Sequence, residues 1–189
     1  MGRDAEALRF LKLHNDLGGG GQTIGNVLVY TRAAARRGDY QDAIDHSVGA
    51  LPDAVSAADG VPLMKVFYSG LADPAQNATA RRAFQSLMPK LESREIDGQV
   101  RGFFVQALTM LGDLDAAYDL ASRSVDEGVS VGMVGSRIYL ADFWLPEMRP
   151  FRRDSRFSGL VQRLRMIDYW NKYGPPDGCE LQTRQLRCH

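Results

Sequence analysis

The sequence predicts an all-α fold assembled from stacked antiparallel helix pairs, and three observations predict it. The first is a helical stripe of apolar or small residues, Tyr40, Ala43, Ile44, Ser47, Val48 and Leu51, which recurs with the same offsets at Val100, Phe103, Phe104, Ala107, Leu108 and Leu111. Spacings of three, four, seven and eight put such residues on one side of an α-helix. The second is a turn that occurs twice in matching surroundings. Gly38, Asp39, Tyr40, Ala43 and Ala50 stand at the same mutual distances as Gly112, Asp113, Leu114, Ala117 and Ser124. The third is that no long segment alternates with the period of two that a half-buried strand requires.

The elements follow in order. An N-terminal helix is expected at about residues 5 to 16, followed by the Gly-rich stretch LGGGGQT as a flexible loop. Residues 1–23 form the first region. Thr23 is placed to cap a helix from Ile24 to about Arg37, and Gly38 to end it in the left-handed conformation. Asp39 then caps the next helix. Gly112 and Asp113 do the same for a second pair, and Ala43 and Ala117 are small where two backbones approach. Between these pairs a helix is expected over 61 to 72. Another runs over 73 to 95, opened by Asp73 and Pro74 and kinked or shortened at Pro89. Residues 24–142 thus hold the helix pairs, the last helix lying near 133 to 142.

A capping segment over 143–178 contains a helix from Ser155 to about Arg165, capped by Asp154. A last turn, capped by Asp168, is stopped by Gly174, Pro175 and Pro176. Residues 179–189 read as a frayed, flexible tail. Cys179 and Cys188 either form a local disulfide or remain free thiols, and two cysteines do not decide which.

With 189 residues and 23 basic against 23 acidic side chains, the chain has the size of one ordinary domain and no net charge to draw in nucleic acid. Residues 149 to 189 carry nine Lys and Arg against four Asp and Glu. The reading of Arg149, Arg152, Arg153, Arg156, Arg163 and Arg165 is packing and salt bridging, with no nucleic-acid partner. The first sixteen residues, with Asp4 and Glu6 and no long apolar run, do not read as a signal peptide. No stretch approaches the roughly 18 apolar residues of a membrane span, so no direct membrane insertion is expected.

Catalytic and metal chemistry find no foothold. His14, His46 and His189 are scattered, with no HxxxH or CxxC spacing, so no metal or other cofactor is expected. The Gly-rich stretch has no Lys before Thr23 and no preceding strand, as a phosphate loop would need. Asn77-Ala78-Thr79 reads as the start of a helix. The paired acids Asp42 and Asp45, and Asp113 and Asp115, suit solvated helix faces. The chain is expected not to be an enzyme.

With their Gly-Asp turn, their Ala five residues after the Gly and their small residue near the end, residues 24 to 51 and 98 to 125 resemble tetratricopeptide repeats. The family's full signature departs here. Val27 and Arg101 stand where a Trp or Leu is usual, and Thr31 and Val105 where Gly or Ala is. A second resemblance lies in residues 145 to 179. Phe151, Arg153, Asp154, Arg156, Phe157, Tyr169, Trp170, Gly174 and Pro176 are similar to the closing segment of tetratricopeptide-like regions in bacterial signalling proteins, with Ser155 in place of the usual Pro. Those regions follow class III adenylate cyclase domains, or the winged-helix domains of membrane-anchored transcription regulators. Neither domain is in this sequence, so only the helical appendage carries over.

The resemblance implies an α-solenoid, a tetratricopeptide-like superhelix with C-terminal capping helices. It also implies a concave groove lined by the first helix of each pair, holding a peptide or partner protein. By repeat position the groove residues are Leu28, Arg32 and Arg36, with Ala35, in one pair, and Gln99, Gln106 and Met110, with Gly102 and Thr109, in the other. Arg32 and Arg36 are suited to a partner carboxylate. The function expected is a non-catalytic interaction module, the scaffolding or sensory part of a bacterial signalling protein. The alternative is a sensor of a small molecule or envelope signal that regulates an output domain. The cytoplasm is the default compartment, and the periplasm the alternative for a piece of a membrane-anchored regulator. Oligomeric state is not legible.

Overall fold

The computed structural model describes residues 3–16, 24–47, 57–92 and 98–189. Most of them are helical. The chain divides into two compact bodies, Met1–Ala83 and Phe84–His189.

In the first body, α1 (Arg3–Asp16) packs on α2 (Ile24–Arg36), α2 on α3 (Tyr40–Ser47), and α3 on α4 (Ala57–Ala72). The α2–α3 turn is built as the sequence requires. Gly38 has φ 77°, its N–H donates to Ala35 O at 3.0 Å, and Asp39 N–H reaches back to Ala34 O at 3.0 Å. These two bonds satisfy carbonyls that the ending helix leaves open. The Asp39 carboxylate then accepts from Asp42 N–H at 3.2 Å and caps α3. Ala43 is fully buried, and Tyr30 stacks on His46 with ring centroids 5.2 Å apart. Thr23, the Gly-rich loop and the end of the first stripe from Val48 onward lie outside the described residues.

Helix α4 begins four residues earlier than expected and runs through Pro62, which removes one ladder bond without ending the helix. It buries Leu63, Met64, Phe67 and Tyr68. After it, the Asp73 carboxylate accepts from Ala75 N–H at 3.0 Å, and Pro74 opens a short 3₁₀ turn. The single helix expected over 73 to 95 is therefore divided. A 3₁₀ turn leads into α5 (Asn77–Leu87), and a second 3₁₀ turn, Met88–Glu92, contains Pro89. Proline disfavours the α conformation at the residue before it, which is where the change occurs.

In the second body, α6 (Gly98–Met110) and α7 (Leu114–Ser130) repeat the hairpin. Gly112 has φ 76°, its N–H donates to Thr109 O at 3.0 Å, and Asp113 N–H donates to Leu108 O at 2.8 Å. The Asp113 carboxylate accepts from Ala116 N–H at 3.3 Å, and Ala117 is fully buried. Phe84 meets the edge of Phe104 with centroids 5.0 Å apart.

The same turn then occurs a third time. Gly132 N–H donates to Val129 O at 3.2 Å and Met133 N–H to Gly128 O at 2.8 Å. Here the cap position is Met133, which makes no side-chain cap bond, and α8 (Val134–Arg137) lasts one turn. The longer helix expected near 133 to 142 does not form. Ile138 is extended and buried, and two 3₁₀ turns, Leu140–Trp144 and Pro146–Met148, pack against α6.

Short helices α9 (Arg149–Arg153), α10 (Arg156–Arg163) and α11 (Met166–Tyr173) follow. Asp154 accepts from Arg156 N–H at 3.0 Å at the start of α10. Asp168 falls inside the first turn of α11 instead of capping it, and pairs with Arg184 at 2.7 Å. An aromatic cluster fills the space beneath. Tyr118 of α7 lies parallel to Phe151 with centroids 4.1 Å apart, Phe157 meets Phe143 and Phe151 edge-on, and Trp144 meets Trp170.

The frayed tail expected over 179–189 is instead a β-hairpin, β1 (Cys179–Gln182) with β2 (Gln185–Cys188), closed by a disulfide between Cys179 and Cys188. Four residues per strand are too few for alternation to stand out in a sequence. The hairpin persists because its two cysteines face each other in register and Leu186 is buried.

Candidate partner-binding surface

Helix α2 supplies the residues expected to line a groove in the first body. Thr31, Ala33 and Ala34 are buried, Arg32 and Ala35 are half-buried, and Arg36 is exposed. Arg36 is paired with Asp4, so its guanidinium already faces a carboxylate, one from α1. The Leu28 side chain lies outside the described residues.

Helix α6 supplies the second set, and here the expectation is corrected. Of the predicted stripe, Val100, Phe104, Ala107, Leu108 and Leu111 are buried as expected and Phe103 only partly, but Arg101, Gly102, Val105, Gln106 and Thr109 are buried as well. Gln106 is 2% accessible, and its amide nitrogen donates to the Met110 thioether at 3.8 Å. A helix buried around most of its circumference belongs to a core. The cause is the chain after α8, whose 3₁₀ turns cross the face that repeat position assigns to the groove. A methyl group added at Gly102 would stand 2.9 Å from Asp142 Oδ2 and 3.7 Å from Tyr139 Cβ. Gln106, Gly102 and Thr109 therefore do not line an open surface. Gln99 and Met110, both half-buried, remain available for one.

Arg101 stands where the tetratricopeptide signature wants a large apolar residue. Its guanidinium is buried and pairs with Glu127 of α7 at 2.7 Å, the carboxylate being partly exposed. A buried charge is tolerated only when paired and hydrogen-bonded. Here it joins the two helices of the pair where apolar packing is usual.

The basic segment is largely committed to its own body. Arg156 pairs with Asp154 at 2.8 Å and with Asp115 of α7 at 2.7 Å, its guanidinium lying 4.4 Å from the centre of the Tyr118 ring. Arg163 holds Asp126 and Ser122 at 3.0 Å. Arg152 donates to the carbonyls of Phe143 and Leu145, and Arg149 to that of His189. The hydrogen bonds from Arg156 hold the Asp154 carboxyl below its ordinary value. Burial first, then the Asp154 charge, pushes the Tyr118 phenol far up, so it stays a donor, at 2.6 Å to Phe151 O.

The sequence reading missed one exposed apolar group. Val129, Val131 and Met133, about half exposed or more, surround the Gly132 turn, and Tyr139 is 45% exposed. The signal was present in GVSVGMV, where Met133 follows the glycine at the position that the two earlier turns give to Asp. Phe10 and Leu13 on α1, and Tyr169 and Tyr173 on α11, are exposed as well.

Among the described residues, no group of three or more His, Cys, Asp or Glu is placed to hold a metal ion, and no helix is long and apolar enough to cross a membrane. Compared with models of protein families, with curated proteins and with solved structures, the chain matches none.

Proposed function

We propose that the chain is a non-catalytic, tetratricopeptide-like interaction module that holds a protein or peptide partner as the scaffolding or sensory part of a bacterial signalling protein. The observation that carries this reading is the helical hairpin made twice with the same turn bonds, the same Asp cap and the same fully buried Ala. Helix pairs of that construction, stacked as a solenoid, use the faces of their first helices for binding. The residues proposed are, in the first body, Leu28, Arg32 and Arg36 on α2 and, in the second body taken by itself, Gln99 and Met110 on α6, at positions its cover leaves partly open.

The test is affinity capture from a lysate of the native organism, partners being identified by mass spectrometry. Wild type is compared with Arg32→Ala/Arg36→Ala and with Asp4→Ala. The last breaks the Arg36 ion pair while leaving both arginines in place. A partner kept by Asp4→Ala and lost by the arginine variant supports the α2 surface. Partners that stay bound to all three, or the absence of any partner, refute it.

A further inference from the structure

The β-hairpin has little to hold it besides its disulfide. A two-stranded ribbon is marginal in water by itself. Its two turn residues, Thr183 at φ 48° and Arg184 at φ 67°, are both left-handed. Such a turn favours Asn-Gly and disfavours a β-branched residue. The ribbon meets the rest of its body along β2, which packs on α9 and α10. Leu186 is buried there, its N–H donates to Ser158 Oγ at 3.0 Å, and the His189 carbonyl accepts from Arg149 Nε at 3.1 Å. The Arg184–Asp168 pair is exposed on both sides and adds little.

Two magnitudes decide what the crosslink does. Burying one Leu side chain favours the docked state by roughly 10- to 100-fold. Closing a loop of this length with a disulfide favours the closed hairpin by about 100-fold over the open chain. Removing the crosslink therefore costs about as much as the burial of Leu186 supplies. By contrast, the aromatic cluster of Tyr118, Phe143, Phe151 and Phe157 draws no residue from the hairpin.

We infer that residues 179 to 189 are a redox-released strap: oxidised, the hairpin covers the surface of α9 and α10 around Arg149 and Ser158, and reduced, it leaves that surface while the body stays folded. The reductant is a dithiol. It supplies two electrons and two protons, the bond between Cys179 Sγ and Cys188 Sγ breaks to give two thiols, and the reductant closes to its own disulfide. Release frees the Ser158 hydroxyl, the Arg149 guanidinium and the site of Leu186 together.

The experiment is amide hydrogen exchange on the full chain, with and without dithiothreitol. Exchange at the Leu186 amide, bonded to Ser158, and at the His189 amide, bonded to Gly178 O, should accelerate about 100-fold on reduction, matching the loss of the crosslink. Exchange at Val105 in the middle of α6 should not change. The Cys179→Ser/Cys188→Ser variant should show the fast pattern in both conditions. Unchanged exchange at Leu186 on reduction overturns the inference, because the hairpin then stays docked without its crosslink. Acceleration of Val105 together with Leu186 also overturns it, because the disulfide is then a staple for the whole body. Slow Leu186 exchange in the double variant would do the same.

Discussion

Gly128 and Gly159 lie in helices of the same body, and replacing each with Ala is the same chemical change with opposite expected outcomes. In α10, a Cβ on Gly159 meets nothing within 4 Å. Only the helix term acts there, so Gly159→Ala should stabilise the body by about 0.5–1 kcal/mol. In α7, a Cβ on Gly128 would stand 2.6 Å from Val134 Cα, 3.3 Å from its nitrogen and 3.4 Å from Arg137 Cβ. Carbon atoms settle at about 3.5–4.0 Å, so the α8 backbone has to retreat by roughly 1 Å. That movement also pulls on the Met133 N–H to Gly128 O bond that closes the turn. Overpacking of this kind costs about 1–3 kcal/mol, more than the helix term returns. Gly128→Ala should therefore lose about 1–2 kcal/mol net. Urea titration followed by tryptophan fluorescence reads this body directly, because Trp144 and Trp170 both belong to it. The midpoints of the two variants should differ by about 1 M, with wild type between them. If Gly128→Ala stabilises as Gly159→Ala does, the close approach of α7 and α8 is not a constraint, and the account of the third turn fails.

Three further outcomes are expected. Tyr118→Phe removes the shorter of the two hydrogen bonds to the Phe151 carbonyl, Asp154 N–H keeping the other at 3.3 Å, and should cost about 0.5–1.5 kcal/mol in the same urea assay; in alkaline titration followed by absorbance, Tyr118 should ionise only on unfolding. Asp154 has a folded value below its unfolded one, so its contribution is complete above about pH 4 and is lost as pH falls through the lower folded value; the stability-against-pH curves of wild type and Asp154→Asn should separate at neutral pH and converge on acidification. Gln106→Ala should lower the unfolding free energy by about 1–3 kcal/mol, whereas Gln99→Ala should change it by less than about 0.5 kcal/mol, as measured by paired urea melts.

What could be read from the sequence was local. The Gly38 and Gly112 turns, their Asp caps and the buried Ala43 and Ala117 all follow from bonds spanning five residues or fewer, and periodicity marks most of the buried stripe of α6. What failed was non-local. Repeat position says which side of α6 would face a groove if that side were left open, but Gly102 lies against Tyr139 and Asp142, about forty positions later, and nothing in α6 itself announces that. The hairpin failed for a related reason: Thr183 and Arg184 are not turn formers, and only the pairing of Cys179 with Cys188 makes their conformation worth adopting. The third turn is obscured by its Met133, since the two earlier turns carry an Asp at that position.

The enclosure of α6 also bears on how this chain can change over generations. A helix with one face in solvent can vary there freely, and new binding preferences arise at those positions. Between Val100 and Thr109 only Phe103 keeps partial exposure, so nearly every change must be accommodated by a neighbour in α5, α7, α8 or the 139–148 crossing. Innovation is pushed outward, to the rim around Gly132 and to α1, where substitutions disturb little else.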